Sequence, residues 1–282
     1  MLRLLVFASI LPQSMWASRV ANDDATAPQQ SLNPVIQWNK ALLTILRTPG
    51  AQPSTVHPTR SYAIMHAAIY DAVNAIDKTH ASYAVRLNDV SRNASQDAAA
   101  ASAAHDVLVS LYPNFQANLD AQLQQSLAAI QDSPKKQEGI AVGKEVARRI
   151  LAIRSTDGSN APLIPFTPIN APGQYQPTPP NFPKPAFTHW SHVTPFALRR
   201  ADQFRPGLPP SLASDAYSDA FNEVKSLGIQ NGSTRTDDQT VIGRFWAGAI
   251  QNYWNEIAQT ASEAHHLTTA QNARLFALLN LT

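Results

Sequence analysis

The residues with the most chemical potential are the histidines, and their spacing limits what they can do. His189 and His192, in the stretch HWSH, could place two imidazole ligands on one metal ion. No third ligand converges on them in sequence and the surroundings are proline-rich loop, so packing or hydrogen bonding is the default expectation. His265 and His266 are adjacent, which turns their rings apart at a helix end and favours a dipole or capping role over ligation. His66 and His105 lie among small and apolar residues at helical spacing, where a satisfied core or interface histidine is expected rather than a catalytic base. His66 and Asp71 do not share a helix face, so they predict no dyad.

The carboxylates offer no more. Glycoside hydrolysis needs two positioned acids. Asp23-Asp24 fall in a polar linker and Asp237-Asp238 at a helix start, where structural roles suffice. The chain contains no GxSxG elbow, no phosphate-cradling glycine loop and no HExxH. It also contains no cysteine, which excludes disulfides, thiolate metal sites and a Cys nucleophile. These residues assemble no active site: no catalytic, cofactor-binding or metal-ligating residue is assigned.

The elements that would have to position any site are helical. A chain of 282 residues with 44% hydrophobic content can bury a substantial core. Its net charge of +2 is too weak to argue for nucleic acid or an anionic membrane surface. Arg3, the apolar run at residues 4–11, and small Ala17 and Ser18 resemble a secretory signal, with Met15 an imperfect match near the cleavage site. Residues 1–21 are therefore read as signal peptide and linker, and the protein as secreted or periplasmic. No other stretch is long and apolar enough for a membrane span.

Residues 22–160 read as an N-terminal helical block. Asn33-Pro34 is a cap followed by proline in the first turn, and Val35, Trp38, Leu42, Ile45 and Leu46 recur at helical spacing until Pro49-Gly50. Residues 54–77 form the most apolar helix of this half and are expected to run through the core, starting near His57-Pro58. Ser95 starts an alanine-rich helix that Pro113 ends, residues 114–131 form a fourth, and Ser133-Pro134 opens a fifth that reaches about Arg154. Arg148, Arg149 and Arg154 suit the negative end of its dipole.

Residues 161–210 hold thirteen of the 21 prolines, which excludes regular helix. Tyr175, Phe182, Phe187, Trp190, Phe196 and Phe204 argue for an ordered strap lying over the helical core, since disordered linkers are aromatic-poor. Residues 211–282 resume helices: one from about Ser211 to a stop at Gly228, one capped by Thr236 with Gln239, one at residues 253–263, and one at residues 268–282. The last opens with Thr268 and Gln271 in a capping-box pattern. Its Leu275, Phe276, Leu278, Leu279 and Leu281 continue without a stop signal, so the expectation is an unfinished helix with a bare apolar face. Asn93-Ala94-Ser95 and Asn231-Gly232-Ser233 match glycosylation sequons, which matter only in a eukaryotic secretory host.

Several stretches together resemble one family. WNKALLTILR (38–47) and MHAAIYDAVNAI (65–76) look like the N-terminal helices of bacterial vanadium-dependent haloperoxidase-like proteins. Downstream the resemblance covers HWSHVTPFAL (189–198), ADQFRPG (201–207), FNEVKSLG (221–228), STRTDDQT (233–240), RFWAG (244–248), YWNEIA (253–258) and NARLFALLN (272–280), in the family's order. The family shares a superfamily with type-2 phosphatidic acid phosphatases and bacterial acid phosphatases. The resemblance implies a helical bundle whose intact form clamps vanadate with a Lys, two Arg and a Ser-Gly-His segment, with a further His on the vanadium. Several charge-assisted hydrogen bonds are what such an oxyanion needs. In the phosphatase relatives the same pocket holds phosphate and that His attacks phosphorus.

None of those signature residues is present. The family's Lys followed closely by Arg-Pro belongs just beyond the LFALLN block, no Ser-Gly-His occurs, and the only Arg-Pro is Arg205-Pro206, in the proline-rich stretch. The expectation is therefore an all-α partial bundle: the N-terminal portion of a haloperoxidase-like protein, inactive by itself. This chain holds no cofactor in that reading, and vanadate is expected only for the intact protein. Its partners would be the missing C-terminal half of its own fold and a further copy in a homo-oligomer. The alternatives are a portion of an acid phosphatase, or a secreted non-catalytic helical protein that binds a partner through its C-terminal apolar face.

Overall fold

The computed structural model describes residues 33–52 and 56–282, which belong to one compact unit, Leu32–Thr282. The expected signal segment and Asp23-Asp24 lie outside them. Among the described residues the fold is all α, with nine helices and no strand. No helix among them is long and apolar enough to cross a membrane.

The helices begin where local chemistry starts them. The Asn33 side chain accepts the Val35 N–H at 3.0 Å and opens α1 (Pro34–Arg47). Ser95 caps α3 (Gln96–Leu111) through Ala98 N–H, and Ser133 caps α5 (Pro134–Arg154) through Lys136 N–H. Each supplies an acceptor to a first-turn donor that has no intrahelical partner. Thr236 with Gln239, and Thr268 with Gln271, form complete capping boxes on α7 (Asp237–Trp246) and α9 (Thr269–Leu281). A 3₁₀ turn over Pro113–Phe115 delays α4, which spans Gln116–Ala128 rather than the whole of 114–131. Ser214 caps α6 (Asp215–Gly228), and α8 runs Ile250–Ala264.

The core is built around α2 (Val56–Asp77). Apolar residues cover most of its circumference, and Tyr62, Ile64, Met65, Ile69 and Ile76 are all fully enclosed. It packs against α3, α5 and α9. Helices α3 and α5 approach closely because small residues face each other. A Cβ added at Gly143 would lie 2.4 Å from the Ala99 carbonyl oxygen, and one at Gly139 would lie 2.3 Å from that of Ser95. These two glycines are mid-helix packing positions.

Two expectations need correction. The last helix is not bare: Phe276 is 0% exposed and stacks on His66, Asn272, Ala273 and Ala277 are buried, and Leu275, Leu279 and Leu281 lie against the core. Only Leu278 among its large apolar residues is substantially exposed. The apolar stripe names no partner in sequence, and its main one, α2, lies more than 190 positions away. Nor does the whole proline-rich stretch lie on the core. Its contacts with the helices are made through residues 187–196, whereas Phe182, Phe204 and Leu208 are exposed, Leu208 to 97%. Tyr175 packs edge-on against Phe166 within the stretch itself.

Candidate functional site

The polar residues gathered most densely lie where the start of α2 meets the end of α5 and the HWSHVTPF segment. Arg154, the basic residue of the last turn of α5, also reaches beyond the helix. Its Nε donates to Asp157 Oδ2 at 3.0 Å, its Nη2 to the Thr194 carbonyl at 2.7 Å, and its guanidinium lies 3.8 Å over the Phe196 ring. Arg60 of α2 donates Nε to the same Asp157 oxygen at 2.8 Å and Nη2 to the Arg154 carbonyl at 2.9 Å. Asp157 also accepts the Ser159 N–H. Burial would raise the Asp157 pKa, but the hydrogen bonds from Arg60 and Ser159 and the Arg60 charge hold it below the usual carboxylate range. One carboxylate thus ties two guanidiniums and pins the segment.

The segment's aromatics complete the joint. The His57 ring lies 5.2 Å from that of Phe187 and 5.1 Å from that of Trp190. His189, buried, bonds the Ser159 carbonyl through Nε2 at 3.1 Å, which places the proton on Nε2 and leaves Nδ1 without a protein partner. The Nδ1 of His57 is likewise buried without one. Burial lowers the His57 pKa, and the charge of Arg60 lowers it further. Beside them, Tyr112 lies 2.7 Å from Ser61 Oγ and bonds Gln52, while Ser61 bonds the His57 carbonyl at 3.1 Å. Burial pushes the Tyr112 hydroxyl up to about 12, against smaller opposing effects of Ser61 and Arg60. Ser61 meets the His57 backbone rather than its ring, so this cluster contains no nucleophile–base pair.

The other candidate residues are dispersed. His192 is exposed in the 3₁₀ turn Trp190–His192 while His189 points inward, so HWSH does not present two ligands to one point. Among the described residues no group of three or more His, Cys, Asp or Glu is placed to hold a metal ion. His265 is the C-cap of α8, and His266 follows at φ +51°, in the left-handed region. Asp237 and Asp238 are exposed in the first turn of α7.

His66 and His105 are interior and interface histidines. His66 Nε2 bonds Asn39 Oδ1 at 2.8 Å, its ring stacks 5.0 Å from Phe276, and burial pushes its pKa down to about 3. Asp71 faces elsewhere and accepts the backbone N–H groups of Tyr83, Ala84 and Val85, which shapes the loop after α2. His105 bridges two carboxylates, Nδ1 to Asp106 at 2.8 Å and Nε2 to Asp120 of α4 at 2.7 Å. Burial would lower its pKa, but the two carboxylates outweigh that and raise it.

An oxyanion such as vanadate requires several converging cationic donors. Here the most buried cations are already engaged. Arg60 and Arg154 bind Asp157, Lys136 binds Asp132 and the Ile130 carbonyl, and Arg235 binds the Leu227 and Ile229 carbonyls. These four cations therefore do not form a clamp that fits vanadate. The joint was legible in part, because HWSH and its neighbouring aromatics stand out in sequence. Asp157 was not: it reads as half of an Asp157-Gly158 turn signal. No protein-family model, no curated protein and no solved structure matches this chain.

Proposed function

We propose that this chain is the N-terminal helical portion of a vanadium-dependent haloperoxidase-like protein, and that it scaffolds the peroxide-driven halide oxidation without performing it. The supporting observation is that segments far apart in sequence, each carrying part of the resemblance, converge in space. MHAAIYDAVNAI meets NARLFALLN through His66 and Phe276, and WNKALLTILR through His66 and Asn39. YWNEIA joins them through the paired Asn255 and Asn280 side chains. HWSHVTPFAL reaches α2 through Trp190 on His57, and the loop after α2 through the Tyr83 hydroxyl, which donates to the Phe196 carbonyl at 2.8 Å.

Vanadate would supply Lewis-acid activation of peroxide. In this reading, residues other than these 282 would hold it. The 282-residue chain is expected to show neither saturable vanadate binding nor bromination of a phenolic dye with vanadate, peroxide and bromide. Micromolar saturable binding would overturn the proposal. Reading the coding DNA past codon 282 should reveal Lys…Arg-Pro, then Ser-Gly-His, then Arg…His; an immediate stop codon would contradict it. For a longer expressed chain, phosphate-ester hydrolysis without bromination would transfer it to the phosphatase branch.

A further inference from the structure

Helices α6 and α7 have no buried residue, although both are amphipathic. Phe221 and Val224 on α6, and Val241, Phe245 and Trp246 on α7, are exposed, Val224 to 71%. The surface is continuous with α8: the Phe245 ring stacks 5.3 Å from Tyr253, and Trp246 lies 6.3 Å from Trp254. Between α6 and α7 runs a groove of about 660 Å³. Val224, Leu227, Gly243 and Ala247 line it, with Glu223 on the α6 side and Arg244 on the α7 side.

We propose that this face is a two-fold interface with a second copy of the same chain. The first argument is size. Phe221, Phe245, Trp246 and Trp254 are each about half exposed. Full burial of such rings covers roughly 150–250 Å² each, so they alone offer on the order of 300–500 Å². Val224, Val241, Ile242, Ile250 and Ile257 extend this toward the roughly 800 Å² per partner of a standard interface, and beyond the largest patch usual on a monomer.

The second argument is charge. α6 carries Asp215, Asp219 and Glu223 with Lys225 in its last turn, α7 carries Asp237 and Asp238 in its first turn, and the groove itself sets Glu223 on one rim against Arg244 and Arg235 on the other. A two-fold axis that lays α6 of one copy over α7 of the other sets Glu223 against Arg244 twice, as an isologous contact requires. A uniformly acidic or basic partner would match only one rim, and an anionic lipid surface would be repelled by α6. The inference does not depend on the peroxidase reading, since its readout is mass, with no vanadate or peroxide present.

Sedimentation velocity and light scattering of the 282-residue chain, from roughly 1 to 100 µM, test it. The expected result is a discrete dimer. Val224→Glu should shift it to monomer with far-UV dichroism and melting temperature unchanged, because the side chain touches no core. Glu223→Arg or Arg244→Glu alone should weaken association by about tenfold or more, and the double reversal should restore it. A chain monomeric throughout that range overturns the proposal. So does a dimer indifferent to Val224→Glu and to the single reversals, or open-ended aggregation without a discrete species.

Discussion

His66 and His105 both face the helical core, yet they respond to pH in opposite senses. His66 has one neutral hydrogen-bond partner and no solvent, so its charged form has nothing to stabilise it. His105 has a carboxylate on each ring nitrogen, and the imidazolium is the form that satisfies both. For His66, with a folded pKa of about 3 against about 6.5 unfolded, stability is fully present above pH 6.5 and falls as the pH drops below it. The loss should approach about 1.4 kcal/mol per pH unit for that one proton. His57, also lowered, adds in the same direction. For His105, raised in the fold, stability is fully present below about pH 6.5 and is lost as the pH rises through its folded value. Urea midpoints across pH 4–9 should show both limbs. His66→Gln should lower stability at neutral pH while flattening the acid limb; an acid limb of unchanged slope would refute the assignment. His105→Gln should flatten the alkaline limb.

At the scale of elements, the α3–α5 pair shows how composition becomes geometry. Ala98 to Ala104 present almost no side-chain bulk, and Gly139 and Gly143 remove what α5 would otherwise interpose. The helices settle at a separation that a single methyl group cannot enter without moving backbone. Gly143→Ala should therefore destabilise by about 1–3 kcal/mol, because the new Cβ meets the Ala99 carbonyl and the Ala103 amide. A melting-point drop of several degrees is the expected reading. Gly243→Ala, on α7 with open space around it, should leave the melting temperature unchanged or raise it slightly. A gain at both positions would mean that helix propensity, rather than close approach, governs the result.

The whole molecule is uneven in the same sense. α1, α2, α3, α5 and α9 share one apolar interior, whereas α4 contributes only Leu119 as a buried residue and α6 and α7 contribute none. Local opening is cheapest where few apolar groups are buried. In a monomeric sample, amide hydrogens of α6 and α7 should exchange orders of magnitude faster than those of α2 and α3. Association through α6 and α7 should slow them selectively. Uniform protection across all the helices at low concentration would contradict this division.

The starts of α1, α3, α5, α7 and α9 were written in the sequence because capping acts within three residues: Asn33 with Val35, Ser95 with Ala98, Thr268 with Gln271. The all-α class and the central place of α2 followed from apolar spacing, which is equally local. What α9 packs against was not readable. Its docking joins Thr269 to Asn33, 236 positions apart, and Phe276 to His66, and an apolar stripe names no partner. The Arg60–Asp157–Arg154 joint was hidden for the same reason, since a carboxylate in a turn carries no mark of a guanidinium 97 residues earlier. Sequence determined where helices α1, α3, α5, α7 and α9 begin, through short-range capping hydrogen bonds, whereas α4, α6 and α8 begin at Gln116, Asp215 and Ile250 rather than near 114, 211 and 253. Only the tertiary structure decided that the last helix is core and that the uncovered apolar surface lies on α6, α7 and α8, because burial depends on what the chain brings alongside.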